Sequence, residues 1–193
     1  MTDWKAFLDG ILTERQYKLD EPMNRHTTYG IGGPADCFVM PQTTEELKKV
    51  LSKAHEEGIP VTFIGGGSNL LGSDLGIRGI TVCTSRLKQD MTCHETWITA
   101  MGGVGTGTIS RFAEKNSLKG FEWAVGIPGT LCGAVFMNAN GYGSQMKNVV
   151  EEVYTISSDG TEDRTYGWDD LHYGDSDSVF MHNGDIIVGA KLH

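Results

Sequence analysis

The stretch Val61-Thr62-Phe63-Ile64-Gly65-Gly66-Gly67-Ser68-Asn69-Leu70-Leu71 decides how the rest of this chain is interpreted. Four residues that favour β-structure run directly into three glycines, which predicts a buried strand that ends in a loop. Glycine backbone adopts positive φ readily and lets a ligand approach closely, so the N–H groups of this loop can converge on an anion such as a pyrophosphate. Ser68 and Asn69 add side-chain donors. A strand-to-loop turn without a ligand explains the glycines alone equally well.

The residues before this stretch predict a β-α-β unit. Residues 36–40 form a short apolar strand that Pro41 ends. Thr43 and Glu46 have the spacing of a capping box and precede an amphipathic helix that Gly58 terminates. The glycine loop therefore lies at the carboxyl end of a strand, where ligands collect in open α/β sheets. Its pattern is neither G-x-G-x-x-G nor the P-loop pattern, so it does not identify a Rossmann or P-loop site.

Apolar periodicity places the remaining elements. An amphipathic helix is predicted at the N-terminus from the spacing of Trp4, Phe7, Leu8, Ile11 and Leu12. Strands are predicted at 80–84, 97–101 and 186–188, and a β-hairpin is predicted from residues 149–157 and 161–166. Because residues 86–95 are polar, we expect a boundary between subdomains there. The predicted division is an N-terminal helix at 1–20, one subdomain at 21–88 and a second at 89–193.

Two further glycine-rich segments have both structural and functional interpretations. Residues 24–35 form a polar, glycine-rich loop, which is either a linker or a second backbone surface for the same ligand. In residues 126–139, Pro128 and Gly129 predict a turn, and Thr130 can cap a short apolar helix. That helix is either a packing element or one whose N–H groups face an anion or a polar heterocycle.

Composition excludes several classes of protein. The 193 residues carry a formal net charge of −9, which argues against electrostatic binding to nucleic acid or anionic membranes. No apolar run approaches the length of a membrane span and no signal peptide is apparent, so we expect a cytoplasmic location. Metal-binding histidine spacings are absent, and no metal site is expected. The cysteines form no C-x-x-C pair and are predicted to be reduced thiols: Cys37, Cys83, Cys93 and Cys132.

Three motifs in this order and spacing closely resemble the UDP-N-acetylenolpyruvoylglucosamine reductases, the flavoenzymes of the MurB family that serve peptidoglycan biosynthesis. They are residues 28–35, 65–71 and 126–130, and the resemblance extends over roughly residues 20 to 190. It implies an α+β FAD-binding fold of the vanillyl-alcohol oxidase / p-cresol methylhydroxylase type, in which two subdomains hold the dinucleotide between them.

The resemblance also implies which residues bind the cofactor. Residues 65–69 would hold the pyrophosphate, residues 29–33 would line the adenine and ribose, and residues 126–130 with 138 and 139 would approach the flavin. The complete set of implied FAD-binding residues is Tyr29, Gly30, Ile31, Gly32, Gly33, Gly65, Gly66, Gly67, Ser68, Asn69, Leu70, Gly126, Ile127, Pro128, Gly129, Thr130, Gly133, Ala134, Asn138, Ala139 and Val188.

Family chemistry takes hydride from NADPH to the flavin and then to the enolpyruvyl double bond of the sugar nucleotide. A serine donates the proton, while an arginine and a glutamate stabilise the developing charge. When the chain is aligned through Ser178-Val179-Phe180, the arginine position holds Ser176. The serine and glutamate belong to a C-terminal substrate domain, which the chain up to His193 does not match. We therefore assign no catalytic residue and expect this truncated homologue to be deficient in the full reaction by several orders of magnitude.

Two functions remain open from the sequence, beside a third interpretation in which the glycines serve only the turns of the fold and no flavin binds. One is a flavoprotein with FAD as cofactor and NADPH as a possible reductant, which takes the UDP-sugar substrate only if a substrate domain is supplied. The other is a non-catalytic module that binds FAD or a protein partner, which the substitution of arginine by Ser176 favours. An exposed flavin face would be an apolar patch, and such a patch favours self-association into a homodimer.

Overall fold

The structure is a computed structural model that describes residues 2–193, which form two compact units. The first unit extends to Leu87 and also includes Asp159–Thr161, whereas the second comprises Lys88–Ser158 and Glu162–His193. The division predicted from sequence lies one residue later, after residue 88. It also set residues 1–20 apart and assigned 159–161 to the second unit, and the structure differs on both points.

The first unit is built on a four-stranded sheet in the order β1-β2-β4-β3. These strands are Tyr17–Pro22 (β1), Pro34–Val39 (β2), Val61–Ile64 (β3) and Ile77–Cys83 (β4). Strand β1 is antiparallel to β2, and both β2 and β3 run parallel to β4. The carboxyl ends of three strands therefore meet at one edge of the sheet.

Helix α1 spans Trp4–Leu8, helix α2 spans Thr44–Glu56, and short 3₁₀ helices cover Met23–Arg25 and Thr84–Arg86. The capping box of α2 is confirmed: the Glu46 N–H donates to Thr43 Oγ1 at 3.1 Å, and the Thr43 N–H donates to Glu46 Oε2 at 3.3 Å. Its apolar face is fully buried over Leu47, Val50, Leu51 and Ala54.

The predicted N-terminal helix is too long. After Leu8 the chain is extended at Asp9, and Gly10 has a φ of +70°. The N–H groups of Ile11 and Leu12 then both donate to the Leu8 carbonyl, so a turn rather than a helix brings these apolar residues to the core. Residues 17–22 form β1, which sequence patterning missed because most of its side chains lie at the exposed edge of the sheet.

The second unit contains a five-stranded antiparallel sheet in the order β10-β9-β11-β6-β5. Its elements are β5 (Met91–His94), β6 (Trp97–Met101), α3 (Thr106–Lys115), α4 (Leu131–Phe136), the small pair β7 (Asn140–Gly141) and β8 (Ser144–Gln145), β9 (Val150–Ile156), β10 (Asp163–Gly167), α5 (Phe180–Asn183) and β11 (Ile186–Leu192). Short 3₁₀ helices cover Glu122–Gly126, Met146–Asn148 and Trp168–Leu171. The predicted hairpin is confirmed as β9 and β10. Strand β5 lies in the polar stretch that sequence patterning assigned to a boundary between subdomains. The pattern missed this strand because it is a half-exposed edge strand.

The tip of the β9–β10 hairpin belongs to the first unit. The Ser52 hydroxyl on α2 donates to the Asp159 carbonyl at 2.9 Å. Gly160 has a φ of +74°, and a Cβ at this position would lie 2.5 Å from the Lys48 carbonyl oxygen. Only glycine fits this position without displacing the end of the hairpin from α2.

The mixture of helices and sheets confirms the α+β class. The four cysteines are free thiols, as predicted. Burial raises the pKa of the Cys37 and Cys132 thiols to about 12, so both thiols stay protonated at neutral pH. None of the helices within residues 2–193 combines the length and the apolar character that crossing a bilayer requires.

Candidate functional site

A cavity of about 300 Å³ lies in the first unit where β3 and β4 leave the sheet. Ile64 at the end of β3 pairs with Cys83 at the end of β4, so the residues that follow both strands emerge at the same edge. The cavity is lined by Arg25, His26, Thr27, Thr28, Ile64, Gly65, Gly66, Cys83 and Ser85. The glycine loop therefore lies at a strand edge suited to ligand binding, as the sequence predicts.

The glycine loop packs backbone to backbone on the segment before residue 29. The Thr28 N–H donates to the Gly67 carbonyl at 2.9 Å. Gly67 has a φ of +68°, and a Cβ added there would overlap the His26 carbonyl oxygen and lie 2.9 Å from its carbonyl carbon. The conformation of residues 65–67 thus depends on the absence of a side chain at Gly67. This contact brings two of the three predicted motifs together.

Residues 29–33 continue from the cavity as a compact loop. The Thr27 hydroxyl donates to the Ile31 carbonyl at 2.9 Å and accepts from the Ile31 N–H at 3.3 Å, which closes the loop. The Gly33 N–H donates to the Ser73 carbonyl, while the Gly32 carbonyl accepts from the Asn24 N–H. The side chains of Tyr29 and Ile31 are 59% and 47% exposed, so their apolar surfaces remain available for a planar ligand. Neither residue lines the cavity.

A buried carboxylate supports the cavity wall. Glu21 Oε1 lies 2.9 Å from both Lys18 Nζ and His26 Nε2. The His26 ring stacks on Phe38 with 4.1 Å between the ring centroids. This stacking holds His26 in place, and the His26 carbonyl packs against Gly67. Burial raises the pKa of the Glu21 carboxyl, but the hydrogen bonds and charges of His26 and Lys18 outweigh burial and hold this pKa below its ordinary value of 4.5.

We expect the Glu21 carboxylate to stabilise the fold only above the pH at which it becomes protonated. Because its pKa is lower in the folded chain, its contribution is present above about pH 4.5 and disappears as the pH falls through the folded value. Glu21→Gln should therefore lose about 1–2 kcal/mol of unfolding free energy at pH 7. Urea unfolding of both proteins at pH 7 and pH 3.5 tests this: the difference between them should narrow at the lower pH, and a constant difference contradicts the assignment.

In the second unit, the turn after β6 packs against the segment that precedes α4. The Gly102 N–H donates to the Val188 carbonyl at 2.8 Å, and the Gly102 carbonyl accepts from the Cys132 N–H at 3.1 Å. The Thr106 N–H donates to the Gly129 carbonyl at 3.2 Å, and the Thr106 hydroxyl donates to the Ile127 carbonyl at 2.5 Å. These bonds bring together the predicted residues near 127–130 and Val188, with the 102–106 turn as their shared partner.

The sequence correctly predicts a short apolar helix capped by Thr130, whose side chain accepts from the Gly133 N–H. Of the two alternatives left open for this helix, the hydrogen bonds of its first N–H groups favour the packing element. The Leu131 N–H donates to the Val104 carbonyl, and the Cys132 N–H donates to the Gly102 carbonyl. Helix α4 therefore acts as a packing element at its N-terminus, because the neighbouring turn supplies the carbonyl partners.

Asn138 is the most constrained of the predicted residues. It has a φ of +45°, a region that asparagine tolerates better than most residues, and it is almost completely buried. Its amide nitrogen donates to Gln145 Oε1 at 3.0 Å and to the Gly174 carbonyl at 2.8 Å, while Oδ1 accepts from the Lys147 N–H at 3.0 Å. The side chain is thus engaged in holding its own loop, and the Asn138 N–H donates to the Val135 carbonyl at 3.2 Å.

Several other predicted residues lie at or near the surface of the second unit. Gly126, Pro128 and Gly133 are exposed, whereas Ala134 and Val188 are buried and Ala139 is half-buried. The Ala139 N–H donates to the Ala134 carbonyl, and its own carbonyl accepts from the Met146 N–H. The segment therefore has exposed residues at Gly126 and Pro128, whereas the half-buried Ile127 has its N–H bonded to the Ala124 carbonyl and its own carbonyl bonded to the Thr106 hydroxyl.

Seven of the nine described residues that line the cavity lie outside the predicted FAD-binding set: Arg25, His26, Thr27, Thr28, Ile64, Cys83 and Ser85. Arg25 and His26 lie just before the motif at residues 28–35, and this position next to a predicted binding motif could have indicated them from the sequence. Cys83 and Ser85 follow the strand parallel to β3, so pairing the carboxyl ends of the two strands would have indicated them. The Cys83 and Ser85 side chains lie 3.0 Å apart.

Comparison with known proteins assigns the fold to a class. The family model described as "FAD binding domain" matches residues 35–165. This chain belongs to that family, and its two units have the FAD-binding fold of the vanillyl-alcohol oxidase / p-cresol methylhydroxylase type. Within the class it is a homologue of the UDP-N-acetylenolpyruvoylglucosamine reductases, as the following relatives demonstrate.

The chain is 40% identical over 182 residues to the UDP-N-acetylenolpyruvoylglucosamine reductase of Clostridioides difficile (strain 630), covering 94% of this chain and 60% of that protein. It is also 40% identical over 192 residues to UDP-N-acetylenolpyruvoylglucosamine reductase 2 of Bacillus cereus (strain ATCC 14579), covering 100% of this chain and 62% of that protein. The chain thus spans about three fifths of the length of these relatives.

Solved structures support the same fold. The crystal structure of the reductase (MurB) from Thermus caldophilus superimposes with a TM-score of 0.73 at 29% identity, covering 92% of this chain and 61% of that one. An alkyldihydroxyacetonephosphate synthase matches with a TM-score of 0.68 at 18% identity, covering 99% of this chain and 43% of that one. The second likeness concerns the fold alone.

The residues at the cavity fit a dinucleotide cofactor. Gly65 and Gly66 contribute a wall without side chains, and the contact between Gly67 and His26 holds that wall in place. A volume near 300 Å³ is at the lower end for small-molecule sites and suits one part of a dinucleotide, such as its diphosphate and ribose. FAD is therefore the cofactor of this chain. Across residues 2–193, no cluster of three His, Cys, Asp or Glu side chains could hold a metal ion.

Proposed function

We propose that this chain is the FAD-binding part of a reductase that uses NADPH to reduce an enolpyruvyl sugar nucleotide. The observation that carries the proposal is 40% identity to UDP-N-acetylenolpyruvoylglucosamine reductases over essentially the whole chain. The glycine-lined cavity at the carboxyl ends of β3 and β4 supports it, because ligands collect at the carboxyl ends of parallel strands and Gly65 and Gly66 lie within the range that the FAD-binding family model matches. A cytoplasmic location is part of the same proposal.

Bound FAD supplies a two-electron acceptor and donor between NADPH and the enolpyruvyl double bond. The chain's own residues bind and orient the cofactor. In this proposal, residues 65–69 hold the pyrophosphate through backbone and side-chain donors, and Tyr29 and Ile31 cover its adenosine side with their exposed apolar surfaces. The segment 126–130, with Gly126 and Pro128 exposed, approaches the flavin in this proposal, and the buried Ala134 and Val188 form an apolar base that excludes water.

The substrate half of the reaction has less support in these residues. Ser176, at the position that the resemblance assigns to an arginine, is exposed with a φ of +54° in a turn that the Gly174 N–H closes on the Asp177 carbonyl at 3.0 Å. A serine cannot supply the positive charge that stabilises an enolate-like carboxylate. We therefore propose that this chain requires a substrate-binding domain to reduce the UDP-sugar efficiently.

A second candidate function is a non-catalytic module that binds FAD or a protein partner. The serine at position 176 favours it, since the turn that contains it has two neighbouring carboxylates, Asp175 and Asp177, and lacks a cation of its own. The His182 ring lies 2.9 Å from Asp177 Oδ1, and its positive charge depends on protonation. Self-association through an exposed flavin face is a related proposal, which sedimentation at high protein concentration tests.

The visible absorbance of the freshly purified protein, before and after anaerobic addition of NADPH, tests the proposed function. We expect a flavin spectrum that bleaches, which demonstrates the reductive half of the reaction. A flavin that stays oxidised would replace the reductase proposal with the binding module. A colourless protein that fails to take up added FAD contradicts the reductase proposal and the FAD-binding module, and leaves only the module that binds a protein partner.

A further inference from the structure

Arg25 introduces a positive charge into the cavity wall of an otherwise acidic chain. The chain has 25 acidic and 16 basic side chains. Among the described residues, those that line the cavity include Arg25 and His26 but no carboxylate. A net-negative protein that binds a diphosphate needs a local source of positive potential, because its overall field repels anions. This cavity has such a source.

The ion pairing of Arg25 leaves its donors available. Glu21 directs Oε1 to Lys18 and His26 at 2.9 Å each, whereas Arg25 Nη1 lies 3.9 Å from Glu21 Oε2. The longer separation exceeds hydrogen-bonding distance but is close enough for electrostatic attraction. Within residues 2–193, no hydrogen bond occupies the Arg25 guanidinium, whose side chain is 68% exposed. Glu21 thus restrains the arginine beside the cavity without consuming its N–H groups.

The backbone on both sides of Arg25 is fixed. Arg25 ends the 3₁₀ helix Met23–Arg25, and the His26 N–H donates to the Met23 carbonyl at 2.8 Å. His26 is held by Glu21 and by stacking on Phe38. Arg25 is therefore carried on a fixed backbone, and it lines the same cavity as Gly65 and Gly66.

We propose that Arg25 binds the diphosphate of FAD, pairing its guanidinium with phosphate oxygens while the glycine loop supplies backbone contacts. This inference rests on FAD binding as described above and adds the charged partner that the glycine motif lacks. A guanidinium suits this role because it presents paired N–H donors in a plane, which match two phosphate oxygens better than a lysine ammonium does.

FAD affinity of the flavin-freed full chain, measured by quenching of flavin fluorescence, tests the proposal with three variants. Arg25→Gln should raise the Kd for FAD by about 10- to 100-fold, as loss of a charge-assisted bidentate contact predicts. Arg25→Lys should fall between this variant and the wild type. Arg15→Gln is the matched control, because it removes the same charge from an exposed arginine of the first unit that does not line the cavity.

Salt dependence separates a direct contact from a general charge effect. The Kd of the wild type should rise with salt more steeply than that of Arg25→Gln, because one phosphate contact has been removed. An equal Kd for wild type and Arg25→Gln, or an equal loss in Arg15→Gln, overturns the proposal. The proposal is also overturned if Arg25→Gln keeps the FAD affinity of the wild type but needs more NADPH to bleach its flavin, since Arg25 would then bind the diphosphate of NADPH. A wild type that binds no FAD would instead refute the FAD assignment itself.

Discussion

Gly67→Ala should destabilise the first unit by about 3–5 kcal/mol and abolish FAD retention. Two effects add at this position. An alanine must adopt a φ of +68°, and its Cβ would overlap the carbonyl oxygen of His26. The atom in the way is backbone, and its residue is anchored by Glu21 and Phe38, so it cannot move aside as a flexible side chain would. Any relief must separate the two loops that frame the cavity.

Gly58→Ala is the matched control for Gly67→Ala. Gly58 has a φ of +63°, similar to that of Gly67, but a Cβ added there meets nothing within 4 Å. It should therefore show only the cost of the left-handed backbone, about 1–2 kcal/mol, and retain FAD. Urea unfolding and the flavin absorbance of the purified variants provide both measurements. Equal destabilisation by the two substitutions would show that the contact with His26 adds nothing.

Gly102→Ala should cost about 2–3 kcal/mol, and removal of a single sulfur atom should recover part of that loss. Gly102 is buried, and a Cβ added there would overlap the Sγ of Cys132 and lie 3.2 Å from the Val188 carbonyl carbon and oxygen. The Cys132 thiol cannot simply rotate away without losing its hydrogen bond to the Ile187 carbonyl at 2.8 Å. The substitution thus forces apart the turn and the helix that position residues 127–130.

A double-mutant cycle isolates this contact. Cys132→Ala alone should cost about 1–2 kcal/mol for the lost sulfur packing and hydrogen bond. In the double variant the new Cβ occupies space that the sulfur has left, so the combined loss should be about 1–2 kcal/mol smaller than the sum. Unfolding free energies of the four proteins supply the test. Strict additivity would locate the strain of Gly102→Ala elsewhere, for example at Val188.

Local signals account for the parts of the fold that the sequence predicts well. The capping box at Thr43 and Glu46, the β9–β10 hairpin and the glycine loop after β3 all depend on residues close together in the chain. Edge strands were the main omission. Strands β1 and β5 leave many side chains in solvent, so they lack the apolar alternation by which a strand is recognised.

The candidate site was predictable only in part, because several of its features arise from tertiary contacts. Gly65 and Gly66, which the motif at 65–71 predicts as pyrophosphate contacts, line the cavity. However, the carbonyls that occupy the N–H groups of α4 come from Gly102 and Val104, and only the folded chain brings them there. Likewise, the partners that the Asn138 side chain has within its own loop are visible only in the folded chain.

The assignment of Asp159–Thr161 to the first unit has a consequence for how the chain folds during synthesis. Helix α2 emerges from the ribosome early, but Asp159 and Gly160, which pack on its Ser52 and Lys48, emerge only after most of the second unit has been made. The first unit therefore cannot reach its final structure as an autonomous nascent domain. A fragment that ends at Leu87 should therefore bind chaperones more readily than the full chain does. Its residues should also be cleaved by proteases faster than the same residues in the full chain.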